Sequence, residues 1–217
     1  MRDKAADAAR MAIKRNDFLE KGFELFSQQT IESVTLKDVA EVCGYGMATI
    51  YRYFKVKPVF VVEVATRKWE QFREENQKRV PNVGFDGMTA AQIFEFYLDS
   101  FLLLYKDHKD LLRFNQIFNV YARSENIDQA TMEPYQKMIH GMKEQFGAMY
   151  QKALNDHTMR TDVPEDEMFS TTLHLMLAAV TRYAVGLVYI PENGFDPVRE
   201  LTLLKEMLLA RYCTTES

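Results

Sequence analysis

Apolar residues recur every three or four positions along most of this 217-residue chain, and no segment shows the alternation of apolar and polar positions typical of a surface strand. The most apolar short run, VFVVEVA at 59–65, is rich in valine and taken alone would favour a strand. Pro58 before it and an amphipathic continuation through Trp69 and Phe72 favour a helix instead. The pattern therefore predicts an all-α protein.

Residues 35–57 carry the pattern of two short helices joined by a tight turn. Thr35 is placed to cap the first helix through its hydroxyl. The apolar stripe of that helix consists of Leu36, Val39, Ala40 and Cys43. Gly44 follows at once, where a left-handed residue is cheap only for glycine, and Tyr45 can fill the space between the helices. The order of these parts is that of a helix-turn-helix DNA reader.

The second short helix is predicted to present a polar and aromatic face to solvent. Ile50 and Phe54, four positions apart, are its buried anchors. The residues left facing outward are Met47, Ala48, Thr49, Tyr51, Arg52 and Tyr53. Aromatic residues beside Arg52, Lys55 and Lys57 suit a groove lined by phosphates. The tyrosines also fit a plainer role, as surface aromatics that pack on the first helix of the chain.

The segment from Phe18 to about Lys57 resembles the DNA-binding signature of tetracycline-repressor (TetR) family regulators, in the runs FLEKGFELFSQQTIESVTLKDVAEVCG and ATIYRYFKVK. The resemblance implies base-edge contacts from Met47, Ala48, Tyr51 and Arg52. It implies phosphate contacts from Thr35, Thr49, Tyr53 and Lys57. Gly46, Val56 and Pro58 stand where the family usually has serine, serine and glutamate. Glycine is an acceptable N-cap and proline is accepted in a first helical turn, but Gly46 lacks a cap oxygen.

Charge is spread unevenly along the chain. Residues 1–57 carry ten Lys and Arg against eight Asp and Glu, and the remainder carries 17 against 23. A basic arm is predicted before the first helix, formed by Arg2, Lys4, Arg10, Lys14 and Arg15. Such an arm can follow the phosphate backbone or enter a minor groove, and it equally fits a solubilising, disordered terminus.

Pro81, Gly84 and Gly87 mark a loop between two domains. The predicted organisation is a basic arm and helix-turn-helix domain at 1–57, a connecting helix at 58–80, and an effector-binding and dimerisation domain at 81–217. Helices of the last part are predicted from Thr89 through Tyr105, from Asp110, along the stripe Tyr135 to Ala153, from Asp162 and Pro164 to before Pro191, and from Asp196 and Pro197 to about Tyr212.

The helix that ends before Pro191 is apolar on two sides and must be covered twice. One side consists of Phe169, Leu173, Met176 and Val180, and the other of Leu177, Ala184 and Val188. We expect the second side, with Leu201, Leu204 and Leu208 of the last helix, to meet a second copy of the chain. The resemblance implies a homodimer through the last two helices, which presents two recognition helices about 34 Å apart to a palindromic double-stranded operator.

The resemblance also implies a small apolar or amphipathic effector, bound between the helices of the second domain. The candidate contacts are Tyr97, Phe101, Asn115, Phe118, Tyr121, Met142, Phe146, Met176 and Tyr183. Methionines adapt to varied ligand shapes, and Asn115 is a polar group on an otherwise apolar stripe. Each of these side chains, taken singly, fits an ordinary core as well. Effector binding would shift residues 58–79 and weaken operator affinity.

Other classes of protein are less well supported by the sequence. A catalytic or metal site is not expected, because the chain has no HExxH, no Glu-x-x-His, no phosphate-binding glycine loop and no nucleophile elbow. A helical interaction scaffold explains the apolar helices but leaves the tyrosine-rich second helix unexplained. Cys43 and Cys213 suggest neither a metal site nor a disulfide framework. With no leader and no run long enough to span a bilayer, we expect a cytoplasmic protein without cofactor or membrane partner.

Overall fold

The computed structural model describes residues 4–187, 189, 191 and 194–214. The helices in these residues are α1 (Lys4–Gln28), α2 (Leu36–Val42), α3 (Met47–Tyr53), α4 (Lys57–Gln77), α5 (Ala90–Asp107), α6 (Lys109–Ser124), α7 (Gln129–Asp156), α8 (Glu165–Val185) and α9 (Pro197–Tyr212). A short 3-10 turn, Phe85–Gly87, precedes α5. The all-α prediction is confirmed, and the valine-rich run at 59–65 lies within α4.

The chain forms two compact units. The first consists of Met1–Gln71 and Phe114–Met138, and the second of Phe72–Arg113 and Ile139–Ser217. Neither unit is one continuous stretch of sequence, unlike the predicted segments 1–57, 58–80 and 81–217, whose functional assignment stays a prediction.

The core of the first unit is built largely of aromatic rings. Phe18, Phe23 and Phe26 lie on the buried face of α1. Phe26 stacks on Phe114 of α6 at 6.0 Å between ring centroids, and Phe54 and Phe60 meet edge to face at 4.8 Å. Each buried ring stabilises the fold by about 1.5–3 kcal/mol through removal of apolar surface from water. These contacts hold α1, α4 and part of α6 around the two short helices.

The predicted basic arm is corrected by the structure, because α1 already begins at Lys4. Arg10 pairs with Asp7 at 2.8 Å along the helix surface. Arg15 forms an ion pair with Glu63 of α4, and Lys14 places its Nζ 5.1 Å from the ring centroid of Tyr45. Arg2 lies outside the described residues. The basic residues from Lys4 onward therefore belong to α1 itself and do not form an arm before it. The sequence predicted a later start for this helix.

The second unit is organised around α5, α8 and α9. Thr89, where the sequence predicts the start of this helix, caps α5 in a capping box with Gln92. The Asp156 carboxylate accepts a further hydrogen bond from the Ala90 amide at 2.7 Å. Asp196 caps α9, and Pro197 occupies its first turn. The apolar core of this unit includes Phe94, Leu98, Phe146, Met149, Met168 and Met176.

The outward faces of α8 and α9 differ from those predicted. Leu201 and Leu208 are buried in the second unit, as is Ala184, and Val188 lies outside the described residues. The apolar side chains that remain exposed on these two helices include Leu175, Val185, Val198, Leu203 and Met207. Both stripes of α9 repeat every three or four residues, so periodicity alone could not decide which stripe faces inward.

Candidate nucleic-acid interface

The first helix of the predicted helix-turn-helix is fixed by a capping box at Thr35. The Thr35 hydroxyl accepts a hydrogen bond from the Asp38 amide at 3.2 Å, and the Asp38 carboxylate accepts from the Thr35 amide at 2.7 Å. The predicted cap is thus confirmed. Hydrogen bonds from Thr35 also hold the pKa of Asp38 below its ordinary value. Because the Thr35 hydroxyl donates to Asp38 at 2.8 Å, a phosphate would compete with that carboxylate for its proton.

The turn after α2 has the geometry that its glycine predicts. Gly44 has φ +71°, in the left-handed region. Its amide donates to the Glu41 carbonyl at 3.0 Å, and the Tyr45 amide donates to the Ala40 carbonyl at 2.9 Å. This pair of bonds satisfies carbonyls that the end of a helix leaves open. The ring of Tyr45 then packs on Phe18 of α1, with centroids 5.2 Å apart, so the turn is anchored to the core.

The second helix, α3, presents a mixed apolar and basic face to solvent. Ile50 and Phe54 are fully buried, as predicted, and anchor the helix. Met47 and Tyr51 are 53% and 47% exposed. Ala48 and Arg52 are exposed as well. These four residues, which the resemblance assigns to base edges, form the outer surface of α3.

Two residues of α3 face solvent only in part. Thr49 and Tyr53 are half-buried, although the sequence predicted an outward position for both. The ring of Tyr53 lies 5.6 Å from that of Phe18, so Tyr53 packs partly on α1. Packing on the first helix, the alternative role considered for the tyrosines, therefore applies in part to Tyr53. It does not apply to Tyr51, which is exposed.

Lys57, the first residue of α4, has a half-buried side chain. Its Nζ donates a hydrogen bond to the Glu32 carbonyl at 3.0 Å and lies 5.8 Å from the ring centroid of Tyr121. Burial lowers the pKa of Lys57, although the charges of Glu32 and Glu125 oppose that shift. Lys57 thus lies at the start of α4, in contact with the α1–α2 connection through Glu32 and with α6 through Tyr121.

The predicted effector residues are divided between the units. Asn115, Phe118 and Tyr121 lie in the first unit. The buried Asn115 amide oxygen accepts hydrogen bonds from Trp69 Nε1 at 3.2 Å and from the Tyr135 hydroxyl at 3.1 Å. Burial raises the pKa of Tyr135 to about 12, which keeps it protonated as a donor. Sequence spacing identified Asn115 as an unusual polar position but gave no sign of its partners, which lie 46 and 20 residues away.

In the second unit, four of the predicted effector residues belong to one cluster: Tyr97, Phe101, Phe146 and Met176. The rings of Tyr97 and Phe146 are nearly parallel, with centroids 6.5 Å apart, and burial raises the pKa of Tyr97 to about 12. Phe169, which the effector prediction omitted, meets Phe146 at 5.3 Å. Met142 is half-buried one turn before Phe146 on α7.

Two other residues of the second unit bear on the predicted effector site. The Tyr183 hydroxyl donates a hydrogen bond to Glu200. Its ring lies 6.4 Å from that of Tyr105 and 5.7 Å from that of Phe195, measured between centroids. Thr172 was not predicted from sequence. Its hydroxyl is buried with no hydrogen-bond partner among the described residues. The sequence pattern that could have identified Thr172 is its position four residues from both Met168 and Met176, on the buried face of α8.

No three His, Cys, Asp or Glu side chains gather as metal ligands anywhere in the described ranges. Burial raises the pKa of both Cys43 and Cys213 to about 11. Within the same part of the chain, none of the helices combines the length and apolarity needed to cross a bilayer.

A capped helix, a left-handed glycine turn and an exposed second helix define a helix-turn-helix DNA-binding domain. Residues 18–64 match the family model for bacterial regulatory proteins of the tetR family. Over these residues the N-terminal domain is similar to the DNA-binding domain of that family.

Solved structures share the fold over nearly the whole chain. A crystal structure of a regulatory protein of the tetR family from Rhodococcus RHA1 superposes with a TM-score of 0.69 at 10% identity, over 93% of this chain and 98% of that one. FadR from Bacillus subtilis, in complex with stearoyl-CoA, gives 0.69 at 15% identity, over 89% and 97%.

A transcriptional regulator from Saccharomonospora viridis, in complex with choline, gives a TM-score of 0.72 at 15% identity, over 94% of this chain and 100% of that one. A comparison with curated proteins found no match. At these identities the likeness to solved structures establishes the fold.

Proposed function

We propose that this protein is a ligand-responsive transcriptional regulator that binds a palindromic operator as a homodimer and is released from it by a small effector, acting as a repressor. The observation that carries the proposal is the exposed face of α3 within a segment that matches the tetR family. An exposed helix after a tight turn has the size and shape that a major groove admits.

The face of α3 carries side chains suited to different parts of a groove. The Arg52 guanidinium can donate two hydrogen bonds to guanine, and Met47 and Ala48 can contact a thymine methyl group. Tyr51 offers a ring and a hydroxyl. We assign these four residues to base edges, and we assign phosphate contacts to Thr35, Thr49, Tyr53 and Lys57. The half-buried position of Tyr53 suits a phosphate, because backbone contacts need reach only the rim of the groove.

Dimerisation through α8 and α9 is supported by the apolar side chains that these helices leave exposed. Leu175 and Val185 on α8, and Leu203 and Met207 on α9, are each more than two-fifths exposed. Large apolar side chains on two neighbouring helix surfaces are typical of an interaction face. A two-fold dimer would present two copies of α3 to successive major grooves, about 34 Å apart.

For the effector we propose a small apolar or amphipathic molecule that binds in the second unit. The proteins of similar fold include one in complex with choline and one in complex with stearoyl-CoA. Tyr97, Phe101, Phe146 and Met176 offer aromatic and thioether surface, and Met142 and Tyr183 lie in the same unit. The buried Thr172 hydroxyl is a polar group that a ligand could satisfy. An effector acts as a release signal only if it binds the low-affinity conformation more tightly.

The experiment that tests DNA binding is selection of duplexes from a random-sequence library by the purified protein. A palindromic consensus with half-sites about one helical turn apart is expected. Changing Arg52 to Ala should then relax base preference at one position of each half-site. Changing Lys57 to Ala should weaken binding to every sequence and reduce the salt slope by about 1.

Lys37 supplies the matched control for these variants, because it is exposed on α2 and pairs with Glu41 at 3.6 Å. Changing it to Ala should leave base preference intact. A helical scaffold protein would enrich no duplex at all, and that result would contradict the proposal. A stoichiometric transition metal in the purified protein would instead favour an all-α enzyme.

A further inference from the structure

Tyr121 lies beneath the lysine at the start of α4. The tyrosine belongs to α6 and is only 2% exposed, and its ring centroid is 5.8 Å from Lys57 Nζ. The Glu32 carbonyl accepts a hydrogen bond from the same Nζ at 3.0 Å. All three residues belong to the first unit. The ammonium group is therefore held by a ring from α6 and a carbonyl from the α1–α2 connection.

The surroundings of the tyrosine keep it neutral. Burial raises the pKa of Tyr121 to about 12, and the carboxylates of Glu125 and Glu32 contribute to that shift. A neutral ring presents a negative face that attracts a cation without neutralising its charge. The Lys57 ammonium has three protons, and the Glu32 carbonyl takes one hydrogen bond. Its remaining protons can meet a phosphate oxygen.

We propose that Tyr121 is a positioning residue for DNA binding: its ring holds the Lys57 ammonium in place at the start of α4 for a DNA phosphate. This inference rests on the proposed function. A lysine side chain is long and flexible, and fixing it before DNA arrives lowers the entropy lost on binding. Tyr121 is 64 positions from Lys57 along the chain. Its effect should be the same on every DNA sequence, because phosphates carry no base information.

A double-mutant cycle tests the proposal. DNA binding is titrated at several KCl concentrations for five proteins: wild type, Tyr121→Phe, Tyr121→Leu, Lys57→Ala and the Tyr121→Leu/Lys57→Ala double variant. The probes are a duplex that the wild-type protein selects from a random library and a shuffled duplex of equal length. Tyr121→Phe keeps the ring and should bind within about twofold of wild type. Tyr121→Leu should lose about fivefold on both duplexes, with a salt slope that falls toward that of Lys57→Ala.

The cycle separates positioning from packing. If Tyr121 acts through Lys57, the leucine change adds less than about twofold in the Lys57→Ala background. An equal loss in both backgrounds would show that the ring only supports the fold, and would overturn the proposal. Unchanged affinity and salt slope in Tyr121→Leu would overturn it too. A wild type that selects no duplex would defeat the proposed function and this inference together, whereas an additive cycle defeats this inference alone.

A second measurement covers a leucine variant that does not fold. In wild type, NMR should show the Lys57 ε-methylene protons shifted upfield by the Tyr121 ring, with the same shift in Tyr121→Phe. Tyr121→Met, which fills the space with an unbranched side chain, should remove the shift. Unshifted protons in wild type would overturn the proposal without any DNA measurement.

Discussion

Gly22 of α1 faces the ring of Phe60 of α4 so closely that a Cβ on residue 22 would lie 2.3 Å from Phe60 Cζ. The fully buried Phe60 also packs on Phe54, the anchor at the end of α3. Glycine at position 22 therefore allows the close approach of the two helices that support the helix-turn-helix.

Changing Gly22 to Ala should lower the free energy of unfolding. Overpacking a closed core costs about 1–3 kcal/mol, and alanine regains only about 0.5–1 kcal/mol over glycine within a helix. A net loss of about 1–2 kcal/mol is expected, measured by urea unfolding. In a Phe60→Leu background the same change should be neutral or stabilising, because the shorter side chain makes room. A wild-type background in which Gly22→Ala raises stability would contradict the close contact.

Serine substituted at Gly44 and at Gly46 should have opposite effects. Apart from each glycine and its two neighbours in the chain, no atom of the described residues lies within 4 Å of the ideal Cβ position of Gly44 or Gly46. The two changes therefore differ mainly in backbone conformation. Gly44 has φ +71°, where a side chain costs about 1 kcal/mol, whereas Gly46 is the N-cap of α3 with φ −69° and ψ 149°. Gly46→Ser should add roughly a few tenths of a kcal/mol through a cap hydrogen bond. Thermal unfolding of the pair measures both, and equal effects would contradict the assignment.

Asn115 joins α4, α6 and α7 through two donors to one oxygen. Changing it to Leu should cost about 2–4 kcal/mol, because the Trp69 and Tyr135 donors lose this buried acceptor. Adding Tyr135→Phe should recover about 1 kcal/mol of that loss, although the same change alone destabilises the protein. Calorimetry on the four proteins gives the coupling energy. Strictly additive losses would mean that the two groups contribute independently.

Met207 is 67% exposed on α9 and lies on the proposed dimer face. Changing it to Glu should weaken dimerisation at least about 100-fold, because symmetry would bury two like charges. Sedimentation velocity at micromolar concentration would show the monomer. Leu154→Glu on α7, also at an exposed apolar position, is the matched control and should leave the dimer intact. If both variants sediment as wild type, the dimer face lies elsewhere.

Glu20 should make stability depend on pH in the acid range. Partial burial alone would raise its pKa, but hydrogen bonds from Lys68 and Gln71 outweigh burial and hold the pKa below its ordinary value of 4.5. The stabilisation is thus fully present above pH 4.5 and is lost as pH falls through the lower, folded-state pKa. Glu20→Gln should flatten this part of the unfolding profile between neutral pH and pH 3. Lys68→Met should raise the folded-state pKa of Glu20 toward or above 4.5 and so shrink or reverse this loss of stability. A profile unaffected by either change would contradict the assignment.

Features set by neighbouring residues could be predicted from the sequence. The capping boxes at Thr35 and Thr89, the glycine turn at Gly44 and the start of α9 at Pro197 each depend on residues within about five positions. The buried anchors of α3 follow for the same reason, since a seven-residue helix can bury only one side.

Features set by long-range packing could not be predicted. Leu201 and Leu203 belong to two stripes of similar apolar spacing, and only the packing of α9 in the second unit shows that Leu201 faces inward. Tyr121 has the appearance of a core aromatic in the sequence, because its relation to Lys57 depends on how α6 meets the start of α4. The division of the predicted effector residues between the two units also depends on long-range packing, because each unit combines two separate segments of the chain.

The stacking of Phe26 on Phe114 limits how the protein can be dissected. A fragment that stops after α4 would leave the apolar side of α1 uncovered, since Phe23 and Phe26 both pack on Phe114 of α6. No single cleavage of the chain would release the helix-turn-helix domain together with the α6 residues that bury the apolar side of α1. Proteolysis or truncation between α4 and α6 should yield an insoluble product rather than a minimal DNA-binding module.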